Sequence, residues 1–199
     1  MSRRLYVEGG GDSKALRTEC RRGFSEFLRK AGLEGRMPRI VASGSRGNAY
    51  DSFRTAVSAT SSNSGSPMLL VDAEGPVTSA GPWDHLHERD CWVRPQGAGD
   101  EQCHLMVQCM ESWFLADRLS LAGYFGNGFR ESALPGNPAV EAIPKADVLD
   151  GIDQAARNTS KGGYSKGEHS FRLLAKVDPS RVTTVSPWAS RFVAALREG

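Results

Sequence analysis

The sequence predicts an α/β fold, in which a mainly parallel sheet of about four strands is flanked by helices and followed by a helical C-terminal part. Short apolar runs near residues 4–8, 38–42, 68–72 and 103–107 are typical of buried strands. Helical patterns separate the first three runs, and this β-α-β-α-β order implies parallel strands with right-handed crossovers. The 199 residues are enough for one domain with a full core.

The clearest strand is the apolar run 68–71, which stands between Pro67 and Gly75. Asp72 and Glu74 follow it, and residues two apart in an extended segment point the same way. Because ligands of open α/β sheets bind beyond the carboxyl ends of the strands, both carboxylates can face one site. Paired oxygens of this kind suit Mg²⁺ or Mn²⁺. The alternative is that Asp72 caps the turn that follows the strand.

The N-terminal strand ends in a similar way. It is followed by Glu8 and then by glycines 9–11, which let the backbone turn sharply. Asp12 or Ser13 is a suitable N-cap for a helix that we expect from about residue 13 to residue 31. The glycines match neither of the nucleotide-binding patterns G-x-x-x-x-G-K-S/T and G-x-G-x-x-G, so a nucleotide loop is not predicted. Glu8 can instead reach the site predicted after the later strand.

The segments between the strands are predicted from turn residues and apolar spacing. We expect a loop over residues 43–48, a helix over residues 48–59 and an exposed, polar connection over residues 58–66. Residues 76–102 are rich in Pro and Gly and predict a loop-rich insertion. Three apolar side chains are expected to anchor this insertion: Trp83, Leu86 and Trp92.

The second half of the chain is predicted to be mostly helical. The expected helices cover residues 108–117, 118–125, 145–158, 170–176 and 187–196. A long irregular link that contains three prolines separates the first two helices from the others. We therefore divide the chain into an α/β core, residues 1–125, and a helical extension packed on it, residues 126–199.

A fourth acidic candidate and three basic residues complete the predicted site. Glu111 lies just past the fourth strand and is a candidate metal ligand. Its alternative role is that of an acid in the first turn of a helix, where the helix dipole favours it. Residues 161–169 are basic and glycine-rich and contain an aromatic side chain, which predicts a phosphate-contacting loop. Lys161 and Lys166 from this stretch, together with Arg46, are the predicted phosphate contacts, although surface turns have a similar composition.

The charge of the chain is unevenly distributed, although its formal net value is only +2. Residues 1–66 and 145–199 carry an excess of Lys and Arg, whereas residues 67–144 carry an excess of Asp and Glu. A site that processes phosphodiesters needs cations to hold the backbone and carboxylates to hold a metal. Solvated helix faces produce the same pattern, so the charge distribution alone does not decide the function.

Composition and cysteine usage predict a cytoplasmic protein without a membrane partner. No apolar run approaches membrane-spanning length, and the N-terminus enters a strand pattern without a signal peptide. The four cysteines form no C-x-x-C pair and are expected to be reduced thiols. An alternative is a zinc site, although no standard finger spacing is present, drawn from His85, His87, Cys91, Cys103, His104 and Cys109.

Several of these stretches carry a resemblance to known families. A strand that ends in Glu before a glycine turn, with a later strand ending in a variant of Asp-x-Asp, resembles the Toprim domain of topoisomerases, primases and OLD-type nucleases. The chain is more closely similar to a small bacterial family, domain of unknown function 4276, that is thought to be Toprim-like. The stretches that carry this closer similarity are residues 5–12, 71–74, 107–113 and 164–167.

The closer similarity runs over nearly the whole chain, and the Toprim part covers roughly residues 3–120. It implies Mg²⁺- or Mn²⁺-dependent phosphoryl transfer, with Asp72 and Glu74 holding the metal and Glu8 as general acid, general base or further ligand. Glu74 departs from the Asp of many Toprim proteins, and its longer side chain moves the ligand atom. Some members of this family are encoded near ATPases in defence-type gene clusters. The resemblance therefore implies a nuclease that acts on DNA or RNA, with an ATPase as its partner.

Two alternatives belong to other functional classes. The first is a non-catalytic binding module of Toprim fold that recruits a partner protein through apolar side chains, namely Trp113, Phe114, Tyr124 and Phe125. The second is a nucleotide-binding regulator, which would need an acid or arginine placed for a ribose; the sequence has no such signature. The substrates compatible with the sequence are DNA, RNA and a nucleotide.

Overall fold

The computed structural model of the chain describes residues 3–11, 13–59 and 65–198. Within these ranges, the strands are β1 (Arg4–Val7), β2 (Arg39–Ala42), β3 (Met68–Asp72) and β4 (Cys103–Met106). They form one sheet in the order β2-β1-β3-β4, and every neighbouring pair is parallel. The predicted α/β fold with four parallel strands is confirmed, and its architecture is Rossmann-like.

The described helices account for most of the remaining structure. They are α1 (Lys14–Leu28), α2 (Arg46–Ser58), α3 (Pro82–Asp90), α4 (Ser112–Ala116), α5 (Arg118–Phe125), α6 (Lys145–Ala156), α7 (Lys166–Leu174), α8 (Pro179–Val185) and α9 (Pro187–Glu198). The predicted helical C-terminal part is therefore present. None of the described helices is both long enough and apolar enough to cross a membrane.

The sheet is covered on both faces because successive side chains of a strand point to opposite sides. Leu5 and Val7 of β1 pack with α1 and the C-terminal helices, whereas Tyr6 packs with α2 and α3. Trp113 is fully buried on the first face, with its ring stacked 5.0 Å from Phe27. The C-terminal helices thus share one hydrophobic cluster with the sheet.

The order of the strands places a crevice at the carboxyl end of the sheet. The chain leaves β1 through α1 to reach β2 on one side, and then crosses through α2 to reach β3 on the other side. In open α/β sheets such a change of direction leaves a crevice beyond the carboxyl ends of the strands. Here that crevice lies between β1 and β3, so the residues that follow these two strands are brought together.

Two helices begin earlier than the sequence predicts, and both changes affect predicted site residues. Arg46, expected in a loop, lies in the first turn of α2 because the Ser45 hydroxyl caps this helix by accepting from the Asn48 amide at 3.2 Å. Lys166, also expected in a loop, is the first residue of α7. The glycines around Lys166 conceal the start of that helix, because glycine is a poor helix former.

Other elements also differ from the prediction. The insertion contains α3, which Gly81 and Pro82 begin, and whose Trp83 and Leu86 are buried as expected of anchors. Residues 108–111 form a turn ahead of α4 rather than helix, and α8 was not predicted. Ser13 caps α1, while its alternative Asp12, like residues 60–64 of the predicted connection, lies outside the described residues.

The four apolar side chains named for the binding-module alternative are buried in this fold. Trp113 and Phe114 are fully buried, and Tyr124 and Phe125 are also in the hydrophobic interior. These four side chains stabilise the packing of α4 and α5 on the rest of the protein. Their burial shows that these four side chains belong to the core, and recruitment of a partner protein stays a prediction.

Because α1 packs closely on α7, a larger side chain at their contact should lower the stability of the protein. Gly23 lies within α1, and a Cβ there would be 2.7 Å from the carbonyl oxygen of Phe171. We expect Gly23→Ala to lower the free energy of unfolding by about 1–3 kcal/mol, because the two helices must separate. Urea unfolding followed by circular dichroism measures this change.

The matched control is Gly123→Ala in α5, where a Cβ would meet no atom within 4 Å. Alanine is the better helix former, so this substitution should raise the free energy of unfolding by up to about 1 kcal/mol. If both variants shifted the urea midpoint in the same direction and by the same amount, close packing at Gly23 would not be important for stability.

Candidate functional site

Three predicted acidic residues come together at the crevice. Glu8, Asp72 and Glu74 each offer a carboxylate oxygen, and these oxygens all lie within 4.8 Å of one another. Glu8 follows β1 and Asp72 ends β3, and the two strands are neighbours. The amide of Asp72 donates to Oε2 of Glu8 at 3.2 Å, which fixes one carboxylate against the other strand. The group is an oxygen donor set that could hold a divalent cation.

Asp72 is the most buried member of the group, with only 2% of its surface exposed. Its Oδ1 accepts a hydrogen bond from the Met110 amide at 2.8 Å, in the turn that follows β4. Its Oδ2 faces two ammonium groups, Lys166 Nζ at 3.4 Å and Lys145 Nζ at 3.8 Å. Burial raises the pKa of Asp72 to about 7, because these cations offset only part of the lost hydration. Asp72 therefore caps a distant turn as well as facing the site.

Glu8 is half-buried beside Asp72. Burial raises its pKa above the usual value, although the hydrogen bond from Asp72 and the charge of Arg46 act in the opposite direction. Glycines 9–11 after it have positive φ angles, and a Cβ on Gly9 would lie 2.6 Å from the ring of Phe171. The glycine turn is thus required both by backbone conformation and by space.

Arg46 supports the carboxylates from within the protein. Its Nε donates to the carbonyl oxygen of Asp72 at 3.1 Å, and its Nη1 pairs with Asp90 at 2.7 Å. Its guanidinium also lies 4.7 Å from the ring of Trp92 and 3.9 Å from Glu8. Arg46 was predicted to contact phosphate. In this structure its guanidinium instead links α2 to β3 and α3, and its side chain is largely buried.

Glu74 takes a left-handed backbone conformation, with φ of 65°. Such conformations are uncommon for residues other than glycine and are often found at functional sites. Its Oε1 accepts from Lys145 Nζ at 2.6 Å, and Arg89 lies 4.0 Å from Oε2. Burial opposes ionisation of Glu74, but the hydrogen bond and charge of Lys145, helped by Arg89 and Lys166, hold its pKa below the usual value.

Lys145 is a site residue that sequence reasoning missed. It is the first residue of α6, and its position 71 residues after Glu74 gives no local signal of the contact. The sequence shows only a helix that begins after Pro144 with a basic residue. The ammonium lies close to Glu74 and Asp72 because α6 begins beside the crevice.

Glu111 lies behind the three-carboxylate group rather than in it. It is fully buried, and its Oε1 accepts from the Tyr164 hydroxyl at 2.7 Å. Its Oε2 has no hydrogen-bond partner, and Lys166 Nζ is 3.7 Å away. Burial and the negative charge of Glu111 raise the pKa of Tyr164 well above its usual value, so the phenol keeps its proton. Lys166 thus stands between two carboxylates, those of Asp72 and Glu111.

The remaining predicted candidates lie elsewhere. Lys161 is not in contact with the three carboxylates; its ammonium is 5.3 Å from the ring of Tyr124. The six residues of the zinc alternative form no ligand group in the described part of the chain. His85, for example, bonds through Nε2 to the carbonyl oxygen of Ala73 at 2.8 Å, which supports the turn before Glu74. The zinc alternative is therefore wrong for the described structure.

A cavity of about 300 Å³ adjoins the carboxylates. It is bounded by the glycine turn after β1, by the first turn of α7 and by apolar side chains from the same face of the sheet. Its lining residues are Glu8, Gly9, Gly10, Gly11, Leu16, Gly44, Asp72, Met106, Met110, Lys166, Gly167, Ser170 and Phe171. Glu8 and Asp72 therefore border a partly open space with charged and apolar parts.

Fold and site together define a Rossmann-like α/β protein with a carboxylate cluster at the carboxyl edge of its parallel sheet. The family model described as Domain of unknown function (DUF4276) matches residues 7–197, and the chain belongs to that family. Comparison with curated proteins and with solved structures finds no match. The similarity noted in the sequence to this family is confirmed over nearly the whole chain.

The raised pKa of Asp72 predicts pH-dependent metal binding. Since a metal must displace the proton of its ligand, Mn²⁺ affinity should rise by about tenfold per pH unit below pH 7. It should level off above pH 7, where Asp72 is already ionised. Isothermal titration calorimetry between pH 5 and pH 8 measures this dependence.

The matched variant is Asp72→Asn, which keeps an oxygen for the Met110 amide but loses the titrating proton. It should bind Mn²⁺ more weakly than the wild type at pH 8 and show a smaller pH slope. Equal wild-type affinities at pH 5.5 and pH 7.5 would contradict the assignment of Asp72 as a buried, protonated ligand.

Proposed function

We propose that this protein is a Mg²⁺- or Mn²⁺-dependent phosphodiester hydrolase, a nuclease acting on DNA or RNA, with its centre at Glu8, Asp72 and Glu74. The observation that supports this function is the gathering of three carboxylate oxygens within 4.8 Å at the carboxyl edge of the sheet. The order of these residues along β1 and β3 also supports a relation to the Toprim domain of OLD-type nucleases.

The donor set fits a hard divalent cation. The carboxylates supply only oxygen ligands, as Mg²⁺ and Mn²⁺ prefer. Asp72 and Glu74 would hold the ion, and Glu8 would complete the group. When bound, the ion supplies charge that polarises the phosphate and stabilises the leaving oxygen.

Glu8 is suited to move a proton. Its pKa is raised by burial, and a carboxylate whose pKa approaches the working pH is a better general base than an ordinary one. The amide of Asp72 holds Oε2, so the direction of the carboxylate is set before substrate arrives. Glu8 would take a proton from the attacking water and return it to the leaving oxygen.

Two lysines supply the positive charge that a phosphate requires. Lys145 and Lys166 both lie within 4 Å of Asp72, and the side chain of Lys166 is 49% exposed. An exposed ammonium can turn from a carboxylate to a phosphate oxygen without breaking the fold. Lys166 keeps its proton for this role, since the charges of Asp72 and Glu111 outweigh burial and raise its pKa.

The proposal predicts loss of metal-dependent cleavage in Glu8→Gln. This substitution keeps size and one hydrogen-bond acceptor but removes the base, so cleavage should fall by about 10²–10⁴-fold. The assay measures release of labelled fragments from DNA and RNA with Mg²⁺ or Mn²⁺, first with the protein alone and then with a candidate ATPase partner added. Circular dichroism should show an unchanged fold.

The control is Glu34→Gln, which removes an exposed carboxylate outside the cluster and should leave cleavage unchanged. If Glu8→Gln and Asp72→Asn both cleave as fast as the wild type, the acidic group is not catalytic and the proposed function is wrong. The absence of cleavage by the wild type under all of these conditions would also contradict it.

A further inference from the structure

The cavity beside the carboxylates is larger than a metal centre needs. A hydrated ion requires only the space in front of its ligands, whereas this cavity holds about 300 Å³ and extends from Glu8 and Asp72 between α1 and α7. Four apolar side chains line it: Leu16, Met106, Met110 and Phe171. A concave, mainly apolar space next to charged groups is typical of a site for a small organic ligand.

One wall of the cavity consists of glycine backbone. Gly9 pairs with Gly44 through two backbone hydrogen bonds of 2.8 Å and 2.9 Å, and both residues line the cavity. A Cβ on Gly10 would lie 2.9 Å from the Cα of Arg17, so a side chain is excluded there as well. The wall therefore has no side chains, and a flat group can approach the peptide planes closely.

The charged end of the cavity suits a phosphate. Lys166 and Gly167 come from the first turn of α7, and Ser170 lies one turn further on the same helix. The N-terminus of a helix favours anions, and the Lys166 ammonium lies beside it. The fully buried Oε2 of Glu111 lacks a hydrogen-bond partner and lies 3.7 Å from this ammonium. Asp72 and Glu111 balance the charge of this cation, and its half-exposed side chain can turn toward a phosphate in the cavity.

We propose that the cavity binds one nucleoside monophosphate unit, with the base and sugar against the apolar and glycine walls and the phosphate between Lys166 and the carboxylates. This inference rests on the proposed function and specifies its substrate. A volume of about 300 Å³ is at the lower limit of ligand pockets, so it takes one nucleotide and excludes a continuous duplex. The unit can be the terminal nucleotide of a strand or a free nucleotide.

For a strand, the reaction is hydrolysis of its terminal phosphodiester. The oxygen of a water bonds to phosphorus, the bond from phosphorus to the oxygen of the neighbouring nucleotide breaks, and that oxygen takes a proton. The products are one nucleoside monophosphate and a strand one nucleotide shorter. Nothing is oxidised or reduced. A circular strand has no terminal nucleotide and cannot place one in the cavity.

The test fills the cavity without altering the carboxylates. Leu16→Trp adds bulk at the lining, and Gly167→Leu provides a second variant at a position where a Cβ meets no atom within 4 Å. Leu119→Trp is the matched control, because Leu119 is 65% exposed and does not line this cavity. Calorimetry measures binding of Mn²⁺ and of nucleoside monophosphates to each protein, and a cleavage assay compares linear with circular single-stranded DNA.

Both cavity variants should bind Mn²⁺ like the wild type, but their nucleotide affinity should fall by about tenfold or more. Leu119→Trp should keep the wild-type affinity for both Mn²⁺ and nucleotide. Stepwise shortening of the linear strand, with the circle left intact, supports the terminal nucleotide as the source. If the cavity variants lose nucleotide binding and the wild type cleaves neither strand, the ligand is a free nucleotide. That result overturns the nuclease function but not the inference about the cavity. The inference is wrong if the circular strand is cleaved as fast as the linear strand. It is also wrong if the cavity variants bind nucleotide and cleave like the wild type; neither result contradicts the nuclease function.

Discussion

Repulsion between three carboxylates is the constraint on which the rest of this structure depends. Their oxygens lie within 4.8 Å of one another, and two unit charges about 4 Å apart repel by roughly 4 kcal/mol at an effective dielectric constant of about 20. Such a group persists only if cations, protons or both offset the repulsion. The structure has both: Lys145 and Lys166 lie beside Asp72, and the pKa of Asp72 is raised to about 7 by burial.

This requirement explains why the C-terminal helices belong to the site. Lys145 begins α6 and Lys166 begins α7, and both helices lie in the part of the chain that follows the last strand. The same helices bury their apolar residues in the hydrophobic cluster that includes Leu5, Val7 and Trp113. Packing of these helices against the sheet therefore positions the ammonium groups, and a substitution that separates α7 from α1 would disturb both stability and charge balance.

The parts of the structure that depend on local pattern were predictable. The four strands are short apolar runs with clear ends, and the order of strands and helices specifies the parallel sheet. Glu8 and Asp72 could be placed together because carboxyl ends of neighbouring parallel strands meet at one edge. The position of Glu74 in the site was predicted from its spacing of two residues from Asp72. Its left-handed backbone conformation was not predicted.

Contacts between distant segments were not predictable from the residues that make them. Lys145 and Tyr164 give no local signal, because their partners Glu74 and Glu111 are 71 and 53 residues away. Arg46 looks like an exposed phosphate contact in sequence, yet its bonds to Asp72 and Asp90 hold it inside the protein. Glycines near Lys166 concealed the helix that carries it, since propensity is overridden when a helix packs on a core.

Diffraction from a crystal soaked in Mn²⁺, with the anomalous signal recorded, tests the central claim most directly. The account predicts one ion about 2.1 Å from oxygens of Asp72 and Glu74, with the Lys145 ammonium moved away from Glu74. A saturated crystal with no ion at these carboxylates, and with Lys145 still paired to Glu74, would contradict it.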